Sequence, residues 1–181
     1  MSLSDQTLIF EPNLDAHVMV VYTDHAKLDD LVCSFLNEGL KRKQFCVYST
    51  VNLDHTIFEK ISSKIIEFEN NIKKGNLIMV DLKPYLLSVM HRDLTQFKKL
   101  KRSVSNKVRK RANKHVRLYD DLASHLYENK HYEECFFLER WWQKNPFQGT
   151  KICPYQDSIL NNNPIQKKHE LFDAHDSIIV C

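Results

Sequence analysis

The stretch His17-Val-Met-Val-Val-Tyr22, followed at once by Thr23-Asp-His-Ala-Lys-Leu28, decides the architecture of this chain. Its first six residues are apolar without alternation and rich in β-branched side chains, which predicts a strand covered on both faces. From Thr23 onward the period becomes that of a helix. Leu28, Leu31, Val32, Phe35, Leu36 and Leu40 share one stripe, and Thr23 or Asp24 supplies the N-cap of a helix from about Ala26 to Lys41. Beyond the polar turn Lys41-Arg-Lys-Gln44, Phe45-Cys-Val-Tyr-Ser-Thr50 reads as a second buried strand. Strand, helix and strand at this spacing make a βαβ unit, whose crossover is right-handed.

The same alternation continues to the end of the sequence. A helix is predicted from Asp54 to Lys74, with Ile57, Phe58, Ile61, Ile65 and Phe68 in register and Gly75 ending it. Asn76 to Leu82 is a third strand, stopped by Pro84, and Met90 to Lys114 a long helix with Leu94, Phe97, Leu100, Val104 and Val108 inward. Val116 to Tyr119 is a weaker strand, followed by helical patterns at 120–128 and 131–144. Lys151–Tyr155 and Ser177–Val180 are late strands, separated by the turn Asn161-Asn-Asn-Pro164 and a short helix through Leu171-Phe172. The order predicts a three-layer α/β fold: a mainly parallel sheet with helices on both faces.

Length and composition agree with that fold. The 181 residues, 43% hydrophobic and 27% charged, suffice for one buried core, so a single domain with its core at about 14–181 is expected and disorder is excluded. No run approaches the roughly 18 apolar residues of a membrane span. Met1 to Phe10 carries acidic and polar residues where a signal peptide is basic and then apolar, so a cytoplasmic location is expected. Five cysteines, at 33, 46, 135, 153 and 181, include no C-x-x-C pair and read as reduced thiols.

The turn after the first strand faces the ligand crevice in such folds, and nucleotide hydrolases place a glycine-rich phosphate loop there. Tyr22-Thr-Asp-His-Ala-Lys-Leu28 contains no glycine, and only Gly39, Gly75 and Gly149 exist in the chain. Backbone N–H groups therefore have no glycine loop with which to wrap a phosphate. Asp24 instead brings its own carboxylate to the positive helix N-terminus that a phosphate would use. The core is thus that of a phosphate-loop protein lacking the loop, and no enzymatic activity is expected. Asp81 ends the third strand where such enzymes place a Mg²⁺-coordinating acid, but a cap at a strand end is the simpler role.

Charge is segregated. Nine basic residues and no acid lie between Lys98 and Lys114; the remaining 17 basic residues face 23 acids, a net charge of −6. A helix presenting Lys101, Arg102, Lys107, Arg109, Lys110, Arg111 and Lys114 suits an anionic partner such as nucleic acid, although a solvated outer face is the simpler account. Trp141 and Trp142 point about 100° apart on one helix, so one belongs to the core and the other to a surface or pocket rim. Glu139, one turn away, reads as an exposed carboxylate. None of the nine histidines forms an H-x-x-x-H pair, and no metal is expected. His17 and His175, both near strand starts, are placed to meet in space as satisfied buried histidines.

Several of these segments, taken in order, resemble the MEDS family, the methanogen and methylotroph sensory domain. They are His17 with the strand to Tyr22, Phe35-Leu-Asn-Glu-Gly-Leu40, Cys46-Val-Tyr48, Leu138-Glu-Arg-Trp-Trp142, Ile152-Cys-Pro-Tyr155 and Leu171-Phe-Asp-Ala-His175. The resemblance implies a RecA-like core that has lost its Walker A loop and a role in sensing small organic ligands. Members are often fused to an output domain, for which this chain has no room, so action through a protein partner or a homodimer is expected. The resulting expectation is a non-catalytic sensing or signalling module with ligand-contacting candidates His17, Tyr22, Asp24, Asp81, Glu139, Trp142, Tyr155 and His175. The cofactor is left unknown, and the alternative is a nucleic-acid-associated regulator using the basic 98–114 helix.

Overall fold

The decisive stretch forms strand β1 (Ala16–Tyr22) and helix α1 (His25–Lys41) in the computed structural model, which describes Phe10 and residues 15–181. Asp24 caps α1: its backbone is extended and its Oδ1 accepts the Ala26 N–H at 2.7 Å. Strands β2 (Phe45–Thr50), β3 (Leu77–Asp81), β4 (Val116–Asp120), β5 (Gly149–Gln156) and β6 (Ser177–Val180) join β1 in one sheet of order β3-β2-β4-β5-β1-β6. Every pairing is parallel. The four inner strands are buried on both faces, which is why their sequences are continuous apolar runs.

Period-2 alternation divides each strand between two cores. Val18, Val20 and Tyr22 pack with Leu28, Phe35 and Leu36 of α1, and with α2 (His55–Lys64) and α3 (Phe68–Lys73), on one face. Met19 and Val21 face the other layer, built by α4 (Lys83–Met90), α5 (Thr95–Arg109), α6 (Leu122–Glu128), α7 (Tyr132–Lys144), α8 (Asp157–Asn161) and α9 (Ile165–Phe172). Leftward crossovers carry their helices on the first face and rightward ones on the second, as right-handed connections require.

Three elements depart from the sequence reading. The predicted helix 54–74 breaks at Ile65, which is extended, and at Glu67, whose φ is 44°. The break is stabilised from outside: the Asn37 amide on α1 donates to the Lys64 carbonyl and accepts from the Ile66 N–H, both at 2.9 Å. The predicted helix 90–114 is α5 alone, preceded by a separate α4 that starts at Lys83-Pro84. A reversal at Arg92, with φ 55°, parts the two helices. β4, which reads as weak, lies at the centre of the sheet. Its Arg117 finds partners inside: Nε donates to Gln44 Oε1 at 2.6 Å, Nη1 to the Phe35 carbonyl at 3.1 Å, and the guanidinium stacks on the Phe35 ring. That packing leaves no room at Gly39, where an added Cβ would come within 2.6 Å of Arg117 Cδ and 2.8 Å of Cys46 Sγ.

Candidate functional site

Five of the eight candidate ligand-contacting residues converge on one point within the second core. His17 lies beside Lys151 in the β1–β5 register, so odd-numbered side chains of both strands point to the same side: His17 from β1, and Lys151, Cys153 and Tyr155 from β5. Helix α7 lays Glu139 and Trp142, one turn apart, over them. His175 arrives from the turn between α9 and β6.

Glu139 is the hub and is fully buried, contrary to its reading as an exposed carboxylate. Its Oε2 lies 3.0 Å from His17 Nε2 and accepts from Lys151 Nζ at 3.3 Å; its Oε1 accepts the Tyr155 hydroxyl at 2.6 Å. Lys151 Nζ is also 2.6 Å from Cys153 Sγ and 3.2 Å from His17 Nε2, and it lies over the Trp142 ring. The His17 and His175 rings are 4.2 Å apart, as their positions near strand starts suggested. They are not the satisfied histidines expected, because His17 Nδ1 and His175 Nε2 have no hydrogen-bond partner. The buried indole N–H of Trp142 has none either.

The charge states follow from burial and proximity. Burial raises the Glu139 carboxyl, but Lys151, His17 and His175 outweigh it and hold the group well below the usual carboxylate range. Burial opposes the Lys151 ammonium, yet Cys153, Glu139 and Asp120 hold its pKa above the ordinary lysine value. Burial, reinforced by Lys151, lowers His17 to about 4. Burial, reinforced by Glu139, pushes the Cys153 thiol far up. One anion and one cation thus neutralise each other inside the core, with a neutral imidazole and a thiol beside them.

A cavity of about 420 Å³ adjoins the cluster at the N-terminal ends of β1, β4 and β5, with His17, Lys151, Trp142, Leu118, Phe147 and Asp176 in its wall. Gly149 makes this end of the sheet possible, since its φ of 134° and its approach to the Val116 backbone exclude a Cβ. A second crevice, of about 280 Å³, opens at the C-terminal ends, lined by Tyr22, Tyr48, Thr50, Tyr119, Asp121 and Glu128 among others. Tyr48 and Tyr119 stack there at 4.9 Å. Asp121 accepts from Thr50 Oγ1 at 2.5 Å and from the Val51 N–H at 2.9 Å, and burial lifts its carboxyl to about 7.

The remaining candidates are scattered. Tyr22 belongs to the C-terminal crevice, Asp24 is an exposed helix cap, and Asp81 is exposed on edge strand β3, accepting the Lys83 N–H at 2.9 Å. Tyr22 and Tyr155 lie on opposite faces of the sheet. In the basic segment, Arg102, Lys107, Arg109, Lys110 and Lys114 are exposed. Lys101 instead packs against the Trp141 and Phe147 rings, and Arg111 stacks on Phe45 and donates to Asn76 and the Gly75 carbonyl. Sequence reasoning missed Lys151 and Cys153. The available signal was a lysine two residues from a cysteine on a strand otherwise fit for full burial, where a charge needs a buried partner.

An open α/β protein with an all-parallel sheet and a neutralised polar cluster beside a cavity has the build of a binding domain. The chain belongs to the MEDS family, the methanogen/methylotroph, DcmR sensory domain, whose model matches residues 16–175. That span includes all seven residues of the cluster, from His17 to His175. No curated protein matches the chain. Among the described residues, no helix is long and apolar enough to cross a membrane.

Proposed function

We propose that this chain is a non-catalytic sensor of a small organic molecule, which it holds in the cavity beside His17, Lys151 and Trp142. The observation that carries the reading is the convergence of side chains from β1, β5, α7 and the α9–β6 turn on one buried point next to 420 Å³ of space. The family's sensory character supports it. Leu118 and Phe147 offer apolar walls, and His17, Lys151 and Asp176 polar ones. A RecA-like core without its phosphate loop is the finer reading of the fold; the Asp24 cap and the all-parallel sheet support it. The occupied state passes to a protein partner or a second copy in the cytoplasm, with α7 as the mobile reporter because it carries both Glu139 and Trp142.

The test is a thermal-shift screen of small alcohols, amines and carboxylates. A ligand present at 100 times its Kd stabilises the folded chain by about 2.7 kcal/mol. The Val116→Phe variant, which fills the cavity, loses that shift. A panel in which no compound distinguishes the two proteins removes the proposal.

A further inference from the structure

The polar cluster contains a contact that its present hydrogen bonds do not explain. His175 Nδ1 lies 2.8 Å from the Leu171 carbonyl, which only accepts, so Nδ1 carries a proton and Nε2 is the ring atom turned toward the cluster. Nε2 lies 3.5 Å from Glu139 Oε1, an oxygen already accepting from Tyr155, and has no hydrogen-bond partner. A buried ring nitrogen is thus left without a hydrogen bond beside a buried carboxylate.

We infer that His17, Glu139, Cys153 and His175 form a binding site for a borderline divalent transition metal such as zinc. One donor atom from each of these four buried residues lies within 4.8 Å of all the others. His17 Nε2, Cys153 Sγ and Glu139 Oε2 lie 3.0, 3.2 and 3.9 Å apart, and His175 Nε2 approaches the other Glu139 oxygen at 3.5 Å; these separations bracket the donor spacing of about 3.3–3.8 Å that Zn–N bonds near 2.0 Å and Zn–S bonds near 2.3 Å impose on a tetrahedral shell. Two imidazoles, a carboxylate and a thiol select such an ion over calcium or magnesium, which take oxygen donors. Outer partners are in place: the Leu171 carbonyl fixes the His175 tautomer and the Tyr155 hydroxyl anchors Glu139.

Lys151 holds the place of the ion. Its ammonium lies 2.6 Å from Cys153 Sγ, 3.2 Å from His17 Nε2 and 3.3 Å from Glu139 Oε2, and its side chain borders the cavity into which it can withdraw. A dication balanced by Glu139 and a Cys153 thiolate, whose proton passes to solvent, keeps the core neutral after the ammonium leaves. Four protein donors close the shell, as in structural and sensory metal sites rather than catalytic ones. The inference rests on the four donors alone, although the withdrawn Lys151 side chain would share the cavity with any organic ligand.

Titration of the chelator-treated full chain with Co²⁺ tests it. The expected result is one Co²⁺ per chain, with thiolate-to-cobalt charge-transfer absorption that Zn²⁺ abolishes. Cys153→Ser loses the absorption, Cys33→Ser keeps it, His175→Gln binds at least about tenfold more weakly, and Lys151→Met binds more tightly than the native chain. Circular dichroism verifies that each variant is folded, and the native measurement needs no variant at all. Absence of stoichiometric Co²⁺ from the native chain overturns the proposal, even if Lys151→Met takes it up. Survival of the absorption in folded Cys153→Ser overturns it too.

Discussion

The Tyr155 hydroxyl donates to Glu139 Oε1 at 2.6 Å, joining the C-terminal end of β5 to the inner face of α7. It is a hydrogen bond to a buried charge, the kind that contributes about 1.5–3 kcal/mol. Tyr155→Phe keeps the ring and removes this bond together with the longer contact of the hydroxyl to Cys135 Sγ at 3.7 Å. Urea denaturation should therefore show a loss of about that size with the m-value unchanged; a loss below 0.5 kcal/mol, on the order of a surface substitution, would contradict the role given to Glu139.

The Glu139–Lys151 pair predicts non-additivity. Glu139→Gln strands a buried ammonium and Lys151→Met strands a buried carboxylate, so each single change costs about 3–5 kcal/mol. The double variant removes both charges and recovers much of the loss, giving a coupling energy of 0.5 to about 3 kcal/mol in a double-mutant cycle. Strictly additive losses would show that the two groups do not compensate each other.

Gly39→Ala places a methyl group against Arg117 and Cys46. Overpacking of this kind costs about 1–3 kcal/mol, and differential scanning calorimetry should show the lowered Tm. An unchanged Tm would mean that Arg117 shifts freely, against its bonds to Gln44 and Phe35.

Asp121 makes stability depend on pH. Its folded pKa of about 7 exceeds the ordinary value of 3.8, so the unfolded chain ionises first as pH rises. The contribution is fully present below about pH 4 and is lost progressively as pH climbs through 7. Relative to Asp121→Asn, the native chain should lose on the order of 4 kcal/mol between pH 4 and pH 8. A stability difference constant across that range would show Asp121 ionised throughout in the fold.

Much of the fold was legible because its signals are local. The buried strands His17–Tyr22 and Phe45–Thr50 and the cap at Asp24 each follow from a few adjacent residues. The break at Ile65 was hidden because its stabiliser, Asn37, lies 27 residues from Lys64 in sequence. β4 read as weak because Arg117 looks wrong for a central strand until Gln44 and Phe35 are brought to it. The site was half legible for the same reason: His17, Glu139, Trp142, Tyr155 and His175 stood out individually, but a sequence does not show that they share a point. Lys151 passed unnoticed because its partner, Glu139, sits on a different element.

The sensing role is tested most directly at Trp142, whose indole N–H has no partner and whose ring lines the cavity beside the half-buried Trp141. In a ¹⁵N-labelled chain the two indole N–H resonances report side by side. Addition of a compound identified by thermal shift should move the Trp142 resonance in a saturable way and leave Trp141 nearly still, and Val116→Phe should abolish the response. Equal movement of both resonances, or of neither, would contradict a ligand held in this cavity.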